Sequence, residues 1–467
     1  MSRSVDESVF IAGPKDFKIE LSALDARHGL YYSRRLHIFR CETPEQREAQ
    51  QVALVNGLRH LLHRCPILGG TVAAPRDDLW RDIVPGDCGI ELVIKDCTYA
   101  MPPYAQLEKD AFQPRQFPWN LFMPVPEDLD DRAFPAMKVQ FTSIAGGTVI
   151  TFSMSHCVAD GNGKDEMMRV LKDHIRQGSS SPELSAHEST AEHIGMDRTP
   201  LRSITSTIPF DIKDHPAYRW RSQAAIPQAI PHPFEATKEE RPYLFRIPPS
   251  KLQQLKADAS QLGPDALSIS THDAIVSLIW HSVLRIRRSR DLEHKTDIST
   301  TPAYLFLPSD ARRHLGLSQS YIGNAVYQLF ATLPLSDILV STNGLRNGAA
   351  AMRRAVSFVN PERVASYMHL INNDPERAAD LGWQFEGGTI STTGVAMGTC
   401  YGSRVLTTGW GGLFGQSTCF RLVNEEGNIA AIMPKLPDGT AELIVSVMEH
   451  ELPMLMSEDC LGKYVEL

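Results

Sequence analysis

The chain has 467 residues, 42% hydrophobic and 22% charged, ordinary values that exclude a disordered or fibrous class. At about 150 residues per domain, two or three domains are expected. With 47 basic and 55 acidic side chains the net charge is −8, which argues against a nucleic-acid binder held by bulk charge.

Residues 46–64 predict a helix, with Leu54, Val55, Leu58, Leu61 and Leu62 on one face. Pro66 stops it, and Gly69-Gly70 turns the chain into Thr71-Val72. Met137, Val139 and Phe141 alternate, then Ile150, Phe152 and Met154, with Gly146-Gly147 between them. That is the pattern of a hairpin. A helix follows over 162–178. From about 178 to 240 prolines and polar residues predict a long crossing loop. Regular patterning resumes with Tyr243 to Ile247. A helix over 271–288 opens with Ser270 and Asp273 at capping-box spacing and presents Ile275, Leu278, Ile279 and Ile286. Residues 303–307 and 325–333 read as strands, 345–358 and 362–372 as helices. The expectation is an α/β protein of two lobes, 1–178 and 241–467, joined by a crossover loop at 179–240.

No run approaches the roughly 18 apolar residues of a membrane span, and the first fifteen residues lack the apolar core of a signal peptide. Eight cysteines, at 41, 65, 88, 97, 157, 400, 419 and 460, form no CxxC pair. A cytoplasmic protein with free thiols, no metal, no membrane and no nucleic-acid partner is expected.

The segment Ser155-His156-Cys157-Val158-Ala159-Asp160-Gly161 ends the hairpin and precedes a helix. With 16 His and 29 Asp, about one HxxxD match is expected by chance. The chain has two, the other running from His193 to Asp197 in the polar loop, and that one is assigned to chance. A following glycine lowers the expectation to under roughly a tenth of a match, and only His156 has it. His156 continues the alternation of Ile150, Phe152 and Met154. Partial burial there would keep its imidazole neutral near pH 7, able to take a proton from an alcohol or amine. Gly161 lets the backbone bend sharply. The plain alternative is a core histidine satisfied by a carbonyl, with Asp160 capping the next helix.

The chain resembles the BAHD acyltransferases, including the fungal trichothecene O-acetyltransferase branch. His156, Asp160 and Gly161 match the family's HxxxDG. Arg64-Cys65-Pro66-Ile67-Leu68-Gly69-Gly70 is similar to its YPxLAG segment. Ser270-Thr271-His272-Asp273-Ala274, then Trp280, is similar to its ST-x-DA…W helix. Asp310-Ala311-Arg312 and Tyr321-Ile322-Gly323-Asn324-Ala325 resemble its D-x-R…YFGNA stretch, and Gly409-Trp410-Gly411 the end of DFGWG. Ile432-Met433-Pro434 and Ala441–Val447 resemble its last strands. The aspartate of DFGWG is missing: Thr407-Thr408 stands before Gly409.

The resemblance implies two chloramphenicol-acetyltransferase-like α/β lobes with mixed sheets and an interdomain tunnel. The activity it implies is transfer of an acyl group, acetyl in first expectation, from acyl-CoA to a hydroxyl of a small secondary metabolite. Acyl-CoA is the co-substrate and no cofactor is bound. His156 would be the base and Asp160 a structural orienter paired with Arg312. Thr399 is a candidate oxyanion donor, while Asn324, Trp410 and Phe414 are candidates for the tunnel or acceptor pocket. A monomer is expected.

Two other functions stay open. One is a condensation-domain-like enzyme with a carrier-bound donor, whose second histidine would stand where Ser155 does; the other is a non-catalytic binding protein on this scaffold. Adjacent strand residues face opposite ways, so Cys157 is a poor partner for His156 in a covalent mechanism. Gly163-Lys164 lacks the rest of a phosphate loop, and His187-Glu188 with His193 misses the HExxH spacing. No GxSxG occurs. Arg285, Arg287 and Arg288 read first as a solvated helix end suited to the dipole, and second as a binding patch for the coenzyme A phosphates.

Overall fold

The computed structural model describes residues 7–27, 31–75, 81–125, 132–178, 194–195, 197–222, 239–260, 266–290, 297–339, 343–384, 394–400, 402–403, 406, 409–422 and 430–466. From the amino end, β1 is Glu7–Ala12 and β2 is Tyr32–Arg40, followed by α1, Pro44–Arg64. β3 (Gly89–Asp96), β4 (Met137–Ile144) and β5 (Gly147–Ser155) lead into α2, Gly161–Gln177. Next come β6 (Arg241–Ile247), α3 (Pro249–Ala259), α4 (Thr271–Arg290), β7 (Pro302–Asp310) and β8 (Val326–Pro334). Helices α5 (Gly344–Phe358) and α6 (Pro361–Asn373) precede β9 (Gly394–Thr399), β10 (Cys419–Leu422), β11 (Ala430–Ile432) and β12 (Ala441–Val447).

Local chemistry explains the helix starts. Thr43 Oγ1 accepts from Gln46 N at 3.1 Å and Pro44 opens α1 two residues earlier than its apolar period suggests. At α4 both halves of the capping box form: Asp273 N donates to Ser270 Oγ at 3.1 Å, and Ser270 N to Asp273 Oδ2 at 2.7 Å.

The chain divides into two compact units, each discontinuous in sequence. The first comprises Met1–Ile204, Leu315–Val326 and Ser403–Glu425; the second comprises Thr205–His314, Tyr327–Gly402 and Glu426–Leu467. The sequence boundaries at 178 and 240 cut the chain differently. The reason lies in burial, because Ile322, Trp410 and Phe414 are part of the first unit's apolar core, and β10 extends its sheet. Much of the expected crossover loop lies outside the described residues.

In the first unit the six-stranded sheet runs β1-β3-β4-β5-β2-β10. All neighbours are antiparallel except β3 and β4. Leu54, Leu58, Leu61 and Leu62 of α1 and Met167, Met168, Leu171 and Ile175 of α2 share one core with Ile150, Phe152 and Met154 of β5. In the second unit the sheet runs β6-β12-β11-β9-β7-β8. Here β9 is parallel to both β7 and β11, and β12 is antiparallel to β6 and β11. Helix α4 buries Ile275, Leu278, Ile279 and Ile286. No helix among the described residues is long and apolar enough to cross a membrane.

Candidate active site

β5 ends at Ser155, and its ladder with β2 runs one residue further: His156 N donates to Tyr31 O at 3.0 Å. The His156 imidazole is half-buried, with the Tyr31 ring 4.9 Å away and tilted 39° to it. Tyr31 itself is 48% exposed. His156 is therefore a strand-end histidine that is only partly exposed, with its Nδ1 buried.

The turn after His156 is held from several sides. The His156 carbonyl accepts from Asn324 Nδ2 at 2.8 Å, and the Val158 carbonyl from Arg198 Nη2 at 2.8 Å. Asp160 is 2% exposed. Its Oδ1 caps α2 by accepting from Gly163 N at 2.9 Å, and its Oδ2 accepts from Ala325 N at 2.9 Å. One carboxylate thus caps α2 and bonds the Ala325 backbone.

The glycine that the turn demands is Gly163 rather than Gly161. A Cβ on Gly163 would stand 1.9 Å from the Ile322 carbonyl oxygen, so only glycine lets α2 approach that segment so closely. Gly161 starts the helix without a left-handed backbone, and a Cβ there would meet nothing nearer than Arg35 Nη2 at 3.8 Å.

Asn324 is fully buried and works as a staple, which corrects its place among pocket-lining candidates. Besides His156 O, it bonds Asp25 Oδ1 through its backbone N at 2.8 Å and through Nδ2 at 2.9 Å. Trp410 and Phe414 are also corrected. Both are buried in the first unit's core, where Trp410 meets Phe39 with ring centroids 5.1 Å apart and His37 at 5.3 Å. Cys157 is buried too, and burial pushes its thiol up to about 11, so it is protonated at neutral pH and unreactive.

In the second unit Thr399 ends β9, with its Oγ1 3.1 Å from His272 Nε2 at the start of α4. Burial holds the His272 imidazole below its ordinary value, against the pull of Asp273. Arg312 is fully buried, donating from Nη1 to Asp310 Oδ1 at 3.0 Å. The arginines proposed for coenzyme A phosphates are partly committed. Arg287 Nη1 donates to the Gly394 carbonyl, and desolvation lowers its guanidinium to about 10. Arg285 Nη2 lies 3.5 Å from Asp459 Oδ2. Arg288, beside them on α4, is half-buried. His187, Glu188, His193, Thr407 and Thr408 lie outside the described residues.

Sequence reading missed Asp25 and Arg198. Asp25 carried a usable signal, since Ser22 and Asp25 repeat the S-x-x-D spacing of Ser270 and Asp273. Ser22 N and Oγ both donate to Asp25 Oδ2, at 3.1 and 2.7 Å. Arg198 had none, lying one residue past the chance HxxxD.

Two sheet-centred α/β units, one carrying a half-buried histidine on a stapled turn between strand and helix, define a two-unit α/β architecture. The chain belongs to the Transferase family, whose model matches residues 12–357, the BAHD group to which its motifs pointed. It is 25% identical over 464 residues to the enoyl-CoA isomerase/hydratase claC of Penicillium crustosum, covering 96% of this chain and 51% of claC. The chain thus spans about half the length of that relative. It is 23% identical over 445 residues to the acyltransferase clz6 of Cochliobolus lunatus, covering 88% of each. Among solved structures it matches F. graminearum TRI101 complexed with coenzyme A and deoxynivalenol, with a TM-score of 0.78 and 20% identity. That match covers 96% of this chain and 99% of TRI101, and it is a likeness of fold.

Proposed function

We propose that this chain is an acyl-CoA-dependent O-acyltransferase, moving an acetyl group to a hydroxyl of a small secondary metabolite. The observation that carries the reading is the half-buried His156 on a turn whose His156 and Val158 carbonyls and Asp160 carboxylate are held. A base with so little freedom arrives at its acceptor already oriented. The imidazole takes the hydroxyl proton as the oxygen attacks the thioester carbonyl. The tetrahedral oxyanion then collapses, the C–S bond breaks, and the imidazolium returns the proton to the coenzyme A sulfur. Thr399 is the proposed oxyanion donor, backed by a neutral His272. Arg312 keeps the structural role that the family resemblance implies.

Family membership, the acyltransferase name of clz6 and the coenzyme A complex of TRI101 support this reading. Against a condensation-type enzyme stands Ser155, buried where such enzymes carry a second histidine. The described cysteines are free thiols, which supports a reducing, cytoplasmic compartment; a monomer is the proposed state. Incubation with acetyl-CoA and a panel of alcohols, following free thiol, tests the proposal. Thiol release that depends on an alcohol supports it. Turnover only with a carrier-bound donor, or tight binding without turnover, replaces it.

A further inference from the structure

Beneath the His156 turn lies a buried charge pair that the proton-transfer scheme does not use. Asp25 is fully buried, with Oδ2 taken by Ser22 and Oδ1 by Asn324. The Arg198 side chain is 2% exposed, and its Nη1 lies 3.7 Å from Asp25 Oδ1. Burying such a pair is costly, and replacing it with apolar side chains is often neutral or stabilising. Its presence calls for a purpose other than stability. The neighbouring chain is shaped around the guanidinium. A Cβ on Gly323 would stand 1.9 Å from Arg198 Nη1, and the Tyr321 ring centroid is 5.9 Å from Arg198 Cζ.

Two carbonyls of one turn converge on this pair. Val158 O is bonded by Arg198 directly, and His156 O by Asn324, whose own amide is anchored on Asp25. We propose that Arg198 and Asp25 are positioning residues for His156, fixing the backbone on both sides of Cys157 and thereby the direction of the imidazole. The inference rests on the reading of His156 as the base. Neither residue need touch substrate. Arg198 belongs to the same compact unit as His156 and Asp25. A misplacement of about 1 Å at a reacting group costs on the order of 10²-fold in rate, which is the loss expected when the pair is broken.

The test is nuclear magnetic resonance of the full chain with 13Cε1-labelled histidine, which gives 16 imidazole signals. Loss of one signal in His156→Gln assigns it. In Arg198→Met the His156 signal is expected to shift and split into several lines, with distant histidines unmoved. Gly323→Ala keeps the guanidinium but displaces it, and it is expected to do the same; it carries the test if Arg198→Met fails to fold. A His156 signal superimposable on wild type in the folded variants overturns the inference. Full thiol release by His156→Ala would instead overturn the base reading, leaving the spectral result intact.

Discussion

Replacing Asp160 by alanine removes two acceptors at once. Gly163 N loses its cap, at about 1 kcal/mol for a helix N-cap. Ala325 N, facing the same 2%-exposed carboxylate, is left without an acceptor at about 1–3 kcal/mol. The expected loss is about 2–4 kcal/mol, read as a lower urea midpoint with an unchanged slope. His156→Ala makes the contrast. The residue is half-buried at a strand end, its ring tilted against Tyr31, so its stability cost is expected within about 1 kcal/mol, while turnover collapses. Asp160→Ala unfolding at the wild-type midpoint would refute the stapled-turn reasoning.

Gly163→Ala forces a Cβ to within 1.9 Å of a backbone oxygen; α2 must shift, and both midpoint and turnover are expected to fall. Cys157→Ala is expected to keep turnover within about threefold, since a thiol protonated at neutral pH supplies no nucleophile; inactivity in a folded variant would reopen covalent catalysis. His215 is fully buried between the Tyr327 hydroxyl at 2.7 Å and Ser366 Oγ at 3.1 Å. Burial lowers its pKa from 6.5 to about 4. The unfolded chain therefore binds the extra proton first. Stability held above pH 6.5 is expected to decline toward pH 4, by at most about 3 kcal/mol from this group. Urea midpoints measured across that range that stay flat would contradict the assignment.

The sequence made the amphipathic elements plain. The Leu54–Leu62 face of α1, the β4–β5 hairpin and the Ser270–Asp273 cap all rest on local periodicity or spacing, and each forms. Strand β2 was not legible. It carries Arg34, Arg35 and His37, all buried, which disguise its alternation. Arg35 reaches Asp165 at 2.7 Å and the Gly161 carbonyl at 3.3 Å, and burial holds His37 well below its ordinary pKa. Those compensations are tertiary, so no local pattern announces them. The site divides the same way. His156 and Asp160 stood in one motif, whereas their supports come from positions 25, 198, 324 and 325, brought together only by folding. Trp410 and Phe414 were candidates for the tunnel or acceptor pocket, and the first unit's core takes both.

Proton removal from the acceptor by the His156 imidazole is read out in the rate of thiol release from acyl-CoA at saturating acceptor, in wild type and in His156→Ala, alongside the coenzyme A affinity of each. The variant's kcat is expected to fall by about 10²–10⁴-fold with coenzyme A binding unchanged. A folded His156→Ala variant turning over at the wild-type rate would contradict that role.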